Sequence, residues 1–163
     1  RAALGRRPAL ASRVRTLVTL GSPHRAPPPD PPAEDQTRGA LRYVDERFPG
    51  AFFQERGVDY VTVAGAAVKG EADFQRGTRE KEAWISYRRL VGRGDVRGDG
   101  IVPLENAHLE GALQVTLPEA THSIGTPEEW YGAESAIDQW LPQVTMRLAL
   151  QNALRVLRLA PAS

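Results

Sequence analysis

The densest chemical signal in the chain is the segment Gly92-Arg-Gly-Asp-Val-Arg-Gly-Asp-Gly-Ile-Val-Pro103. Glycines flank both Asp95 and Asp99, so the backbone can turn sharply and carry a carboxylate to the head of a loop. His122 follows five residues past the last of three strand-like runs. An acid on one loop and a histidine on the next is how a general base is presented: the carboxylate holds the imidazole tautomer and stabilises the imidazolium. Asp99 and His122 are therefore the candidate catalytic residues, with Asp95 as the alternative acid. Spacing alone leaves the plainer reading open, because Asp-Gly is a common turn and His-Ser a common surface dipeptide.

Other reactive residue types are sparse. Cysteine is absent, which removes disulfides, zinc–cysteine sites, iron–sulfur clusters and thiol nucleophiles. Glu105, His108 and Glu110 have a spacing that can bring ligands to one helical face. A solvated loop or short helix accounts for them more simply than metal ligation. Ser12, Ser22, Ser86, Ser123 and Ser135 all lack the Gly-x-Ser-x-Gly turn that exposes a nucleophilic hydroxyl. Ser22 is followed by Pro23, which has no N–H to offer an oxyanion.

Three runs must position the acid and the histidine: Thr16–Leu20, Tyr60–Ala64 and Ala112–Leu117. Each is rich in β-branched residues and stopped by Gly or Pro. The first two are apolar on both faces, as in strands covered on both sides. Between them lie helical patterns over Thr37–Arg47, with Leu41, Val44, Phe48 and Phe52 as a buried stripe, and over Arg79–Val91, with Trp84, Tyr87 or Arg88, and Val91. A third helical stretch runs from Ala133 and is expected to break at Pro142. Strand and helix alternate, which is the rhythm of an α/β fold in one domain. Two segments are irregular: the Pro-rich loop 25–34 and the charged stretch Glu71–Glu82. Both follow strand ends, where α/β sheets bind ligands.

With 163 residues, 41% hydrophobic and 25% charged, the chain has a globular composition. The net charge of +1 is unevenly spread. Acids without any Lys or Arg fill Ile101–Gln143, and the aromatics Trp130, Tyr131 and Trp140 lie among them. A nucleic-acid surface needs aromatics interleaved with basic residues, so nucleic acid is excluded as a partner. The basic, amphipathic stretch 144–163 reads as a last helix packed on the sheet. Peripheral contact with an anionic membrane is its other reading.

Several motifs, in order and without rearrangement, resemble the lipase-type α/β hydrolases. Val14–His24 is similar to the strand after the nucleophile helix, where Leu-Gly-Thr-Pro-His endings are common. Asp99-Gly-Ile-Val-Pro103 resembles the Asp-Gly-Val-Val-Pro segment that carries the triad acid, and Thr121-His122-Ser123 the segment that carries its histidine. Asp35–Val44, Ala107–Ala112 and Trp130–Gly132 resemble, more narrowly, a lipase-like hydrolase group of plants, algae and cyanobacteria.

The resemblance implies that the three runs are the sixth to eighth strands of a hydrolase sheet, and that 1–163 is a single partial domain without the nucleophile half. It implies ester hydrolysis through an acyl-serine, with Asp99 as acid, His122 as base, no cofactor, and an ester or lipid-like small molecule as substrate. His24 would lie at the floor of the site, or else be a capped loop histidine. Trp84, Trp130 or Tyr131 would line an acyl site, and the loops 25–34 and 71–82 its entrance. Plastid or cytoplasm is the implied location.

The departure from the family is equally clear. No Gly-x-Ser-x-Gly occurs in the sequence, so the chain carries the acid and base of a triad without the group they activate. Two alternatives stay open: a non-catalytic hydrolase domain that acts as a binding module, and an acyltransferase that uses the same triad. In a partial domain, the first strand would also expose an unpaired edge.

Overall fold

The computed structural model describes residues 1–122 and 128–159. Three strands form its centre: β1 (Thr16–Leu20), β2 (Asp59–Gly65) and β5 (Leu113–Leu117). They lie in the order β1-β2-β5, and both pairings are parallel. Thr19 sits beside Thr62, and Val63 beside Val115. The chain is thus α/β with a parallel sheet, as the alternation of patterns predicts. The three expected strands agree with the observed ones to within one residue at each end.

Two short helices, α1 (Ala2–Arg6) and α2 (Pro8–Ala11), precede the sheet. Helix α3 (Ala40–Arg47) joins β1 to β2, by way of a short 3₁₀ turn at Gln54–Arg56. Between β2 and β5 lie strand β3 (Val68–Lys69), helix α4 (Arg79–Val91), strand β4 (Arg97–Gly98) and helix α5 (Leu104–Ala107). β3 and β4 pair antiparallel as a separate small sheet. α6 (Glu134–Leu159) follows β5.

β2 is the central strand, and from Tyr60 onward every residue of it is buried. One face of the sheet packs Val18, Val61, Val63 and Val115 against Val144, Trp140 and Leu148 of α6. The opposite face packs Leu17 and Tyr60 against Leu4, Ala11, Phe53 and Leu109. Burial on both faces is why β2 reads as a continuous apolar run. β1 departs from that expectation. Its residues are half-buried, and Leu20 is exposed, because among the described residues it pairs on one edge only.

Four further expectations need correction. Pro142 does not break the C-terminal helix; α6 runs through it. Trp140 on one side of it, and Val144 and Leu148 on the other, are anchored on the sheet face. The Trp140 indole N–H also bonds the Tyr131 carbonyl at 2.9 Å. That packing outweighs the roughly 3 kcal/mol an internal proline costs. In the stripe of α3, the buried aromatic is Phe53, whereas Phe52 is exposed. In α4 the buried residues are Ala83 and Tyr87, while Trp84 lies between the Lys81 and Arg88 cations at 4.8 and 4.9 Å. The irregular stretch ends at Thr78, whose hydroxyl caps α4 by accepting the Lys81 N–H at 3.4 Å. Arg79–Glu82 is therefore the first helical turn, with Glu80 and Glu82 favourably placed at the positive end of the helix dipole.

Candidate active site

Loops from the C-terminal ends of β1 and β2, from β4 and from β5 converge on Asp99. Such convergence needs residues without side chains. Gly21, just past β1, has φ +55°. A methyl group on it would lie 2.6 Å from Asp99 Oδ2 and 2.7 Å from the Tyr131 hydroxyl. Gly65, the last residue of β2, backs directly onto the Ala120 carbonyl and lies against Asp99 Cβ. The acid loop is held by its own turn as well. Asp99 N–H bonds the Val102 carbonyl at 3.2 Å, and Gly100 takes φ +100°, which favours glycine.

Asp99 is buried and accepts four hydrogen bonds. The N–H groups of Ile101 and Val102 donate to Oδ1 at 3.0 and 2.7 Å. The Tyr131 hydroxyl donates to Oδ2 at 2.7 Å, and His122 Nδ1 meets the same oxygen at 2.8 Å. A carboxylate surrounded by donors has no proton to offer, so the His122 proton must sit on Nδ1. That leaves Nε2 with a lone pair, as a base requires. The backbone reinforces the pair, because the His122 N–H donates to the Asp99 carbonyl at 2.8 Å. The Asp99 bond raises the His122 pKa above 6.5, with burial opposing it.

Two tyrosines flank the acid loop. The Tyr87 hydroxyl accepts the Gly100 N–H at 2.8 Å and donates to the Val68 carbonyl at 3.1 Å. Tyr131 accepts the Gly65 N–H at 2.8 Å. Burial is the largest cause raising both phenols far above the ordinary tyrosine value, so both remain neutral.

His122 opens onto a cavity of about 430 Å³. Its apolar walls are Pro23, Ile85, Leu90, Ile101 and Val102, and Glu82 and Arg89 supply charge. None of the aromatics expected to form an acyl site, Trp84, Trp130 and Tyr131, lines it. The loop 25–34 stays off it too, with Ala26 N–H bonded to Asp45 and the Pro27 carbonyl to Arg42. The charged stretch contributes only Glu82.

The remaining candidates are placed as follows. Asp95 is exposed on the turn before β4, away from the pair. Glu105 pairs with Arg93 at 3.0 Å, and both His108 ring nitrogens bond threonines, Thr62 at 3.1 Å and Thr116 at 3.0 Å. Among the described residues no cluster of three or more His, Asp or Glu could hold a metal. His24 is buried, its Nε2 bonded to Thr19 at 3.0 Å. The Ser86 hydroxyl donates to the Ile101 carbonyl at 2.7 Å, and that of Ser12 to Ala9 at 2.9 Å. Ser123 and residues 160–163 of the expected tail lie outside the described residues.

Sequence reasoning missed Asn106. This buried residue staples the loop after β1 by accepting the N–H groups of His24 and Arg25 at 2.9 and 3.0 Å. It also missed the bonding of Tyr131 to Asp99. No spacing signal connects two residues on separate loops.

Fold and site together define an α/β chain with a buried acid holding an exposed histidine at the C-terminal edge of a parallel sheet. Compared with known family models, curated proteins and solved structures, the chain matches none.

Proposed function

We propose that Asp99 and His122 are the acid and base of a serine-hydrolase triad, in the C-terminal part of a lipase- or esterase-like enzyme of the α/β-hydrolase fold. The observation that carries this reading is the buried, four-fold hydrogen-bonded Asp99 holding His122 Nδ1 at 2.8 Å beside an open cavity. The parallel order β1-β2-β5, with the acid between its last two strands and the histidine after the last, agrees with the resemblance. In the reaction, His122 Nε2 takes the proton of a serine hydroxyl as its oxygen attacks an ester carbonyl. It then returns that proton to the leaving alcohol, and Asp99 stabilises the imidazolium in between. The serine would come from a Gly-x-Ser-x-Gly turn outside residues 1–163.

The test is fluorophosphonate labelling and ester turnover by the natural polypeptide that contains these residues, with Asp99→Asn and His122→Ala compared. In a triad, loss of the acid leaves the wrong tautomer and lowers kcat by about 10⁴-fold. Wild-type turnover in both variants, or a natural polypeptide without such a serine, would end the proposal. Residues 1–163 alone should turn over no ester.

A further inference from the structure

Asp99 Oδ2 is shared. It meets His122 Nδ1 at 2.8 Å and the Tyr131 hydroxyl at 2.7 Å. Tyr131 is buried, and its oxygen is itself held by the Gly65 N–H at 2.8 Å. The chain Gly65 N–H, Tyr131 OH, Asp99 carboxylate and His122 imidazole therefore ties the end of β2 to the loop before β5 and to the loop after it. The tyrosine and histidine rings stand edge to face, with centroids 6.5 Å apart. Because its oxygen accepts from Gly65, the Tyr131 hydroxyl proton must point at Asp99.

We propose that Tyr131 is a positioning residue of the Asp99–His122 pair: its hydroxyl pins Asp99 Oδ2 and takes up part of the carboxylate charge that His122 would otherwise receive. The inference rests on reading the pair as an acid and a base. A hydrogen bond to a charged group stabilises the charge, and two donors to one oxygen compete for it. Tyr131 thus restrains how strongly Asp99 holds the His122 proton, keeping His122 closer to the range in which it accepts and returns a proton near neutrality. Among the described residues, the other titratable or charged groups facing the pair are Tyr87 and, on the α4 side of the cavity, Glu82 and Arg89. Tyr87 bonds only backbone, and its burial keeps it neutral.

The experiment is a pH titration of the His122 ring by NMR in this chain, which requires no substrate. In Tyr131→Phe the midpoint should rise by about half a pH unit or more, since Asp99 loses a competing donor. With 3-fluorotyrosine at position 131, a more acidic phenol and a stronger donor, it should fall. An unmoved midpoint in either folded protein, or movement in the same direction in both, overturns the role. A purely structural Tyr131 would not give opposite shifts. If the phenylalanine variant does not fold, the fluorotyrosine protein decides alone: a lowered midpoint supports the role, and an unchanged or raised one overturns it. Opposite shifts in this chain, together with a natural polypeptide containing these residues that hydrolyses no ester, would uphold the role of Tyr131 while removing the hydrolase reading.

Discussion

The loop after β1 that walls the cavity depends on a histidine that must stay neutral. His24 is buried beside Thr19, and burial, with Arg1 and His108 nearby, lowers its pKa to about 4 from 6.5. Asp45 opposes this. Below pH 6.5 the unfolded chain takes up a proton that the folded one refuses. The stability due to a neutral His24 is therefore fully present above 6.5 and is lost as the pH falls toward 4. From those two values, the loss is about 2 kcal/mol between pH 7 and 5, rising to about 3 kcal/mol by pH 3. Urea unfolding of the wild type and His24→Gln at pH 7, 6 and 5 isolates it. His108, which burial also lowers, and His122, which is raised and acts in the opposite sense, contribute equally to both proteins and cancel in the difference. The gap between the two unfolding free energies should change by about 2 kcal/mol over that range. Parallel curves would refute the assignment of a neutral, desolvated His24.

Two further substitutions test the construction of the site and of the last helix. Gly21→Ala would place a methyl group at φ +55°, 2.6 Å from Asp99 Oδ2. It should destabilise the chain by about 2 kcal/mol or more and return the His122 titration toward 6.5, as Asp99 is pushed away. Thermal unfolding and NMR read the two effects, and an unchanged melting temperature would contradict the close approach. Pro142→Ala lies on the exposed side of α6 and restores a helical N–H. It should stabilise by about 1–2 kcal/mol, less than the full cost of an internal proline because the unfolded chain gains freedom. A lowered melting temperature would show that the proline is not strained there.

The local statements could be read along the chain. Three β-branched runs ended by Gly or Pro are the three strands, since the signals for a strand and for its end lie within a few residues of each other. The same holds for the Asp99-Gly100 turn. Asp99 and His122 could be singled out because each stands next to such a local signal. What the chain could not show is which residues meet across the sheet ends. Tyr131 on Asp99, Asn106 on the His24 loop, and Gly21 and Gly65 against the carboxylate are contacts between distant segments, made when the strands take their places side by side. The continuity of α6 was decided in the same way: the proline's preference is local, but the indole and valine anchors that overrule it depend on the sheet beneath. The residue types were legible because chemistry and turns are properties of short segments; their partners were not, because packing is a property of the whole fold.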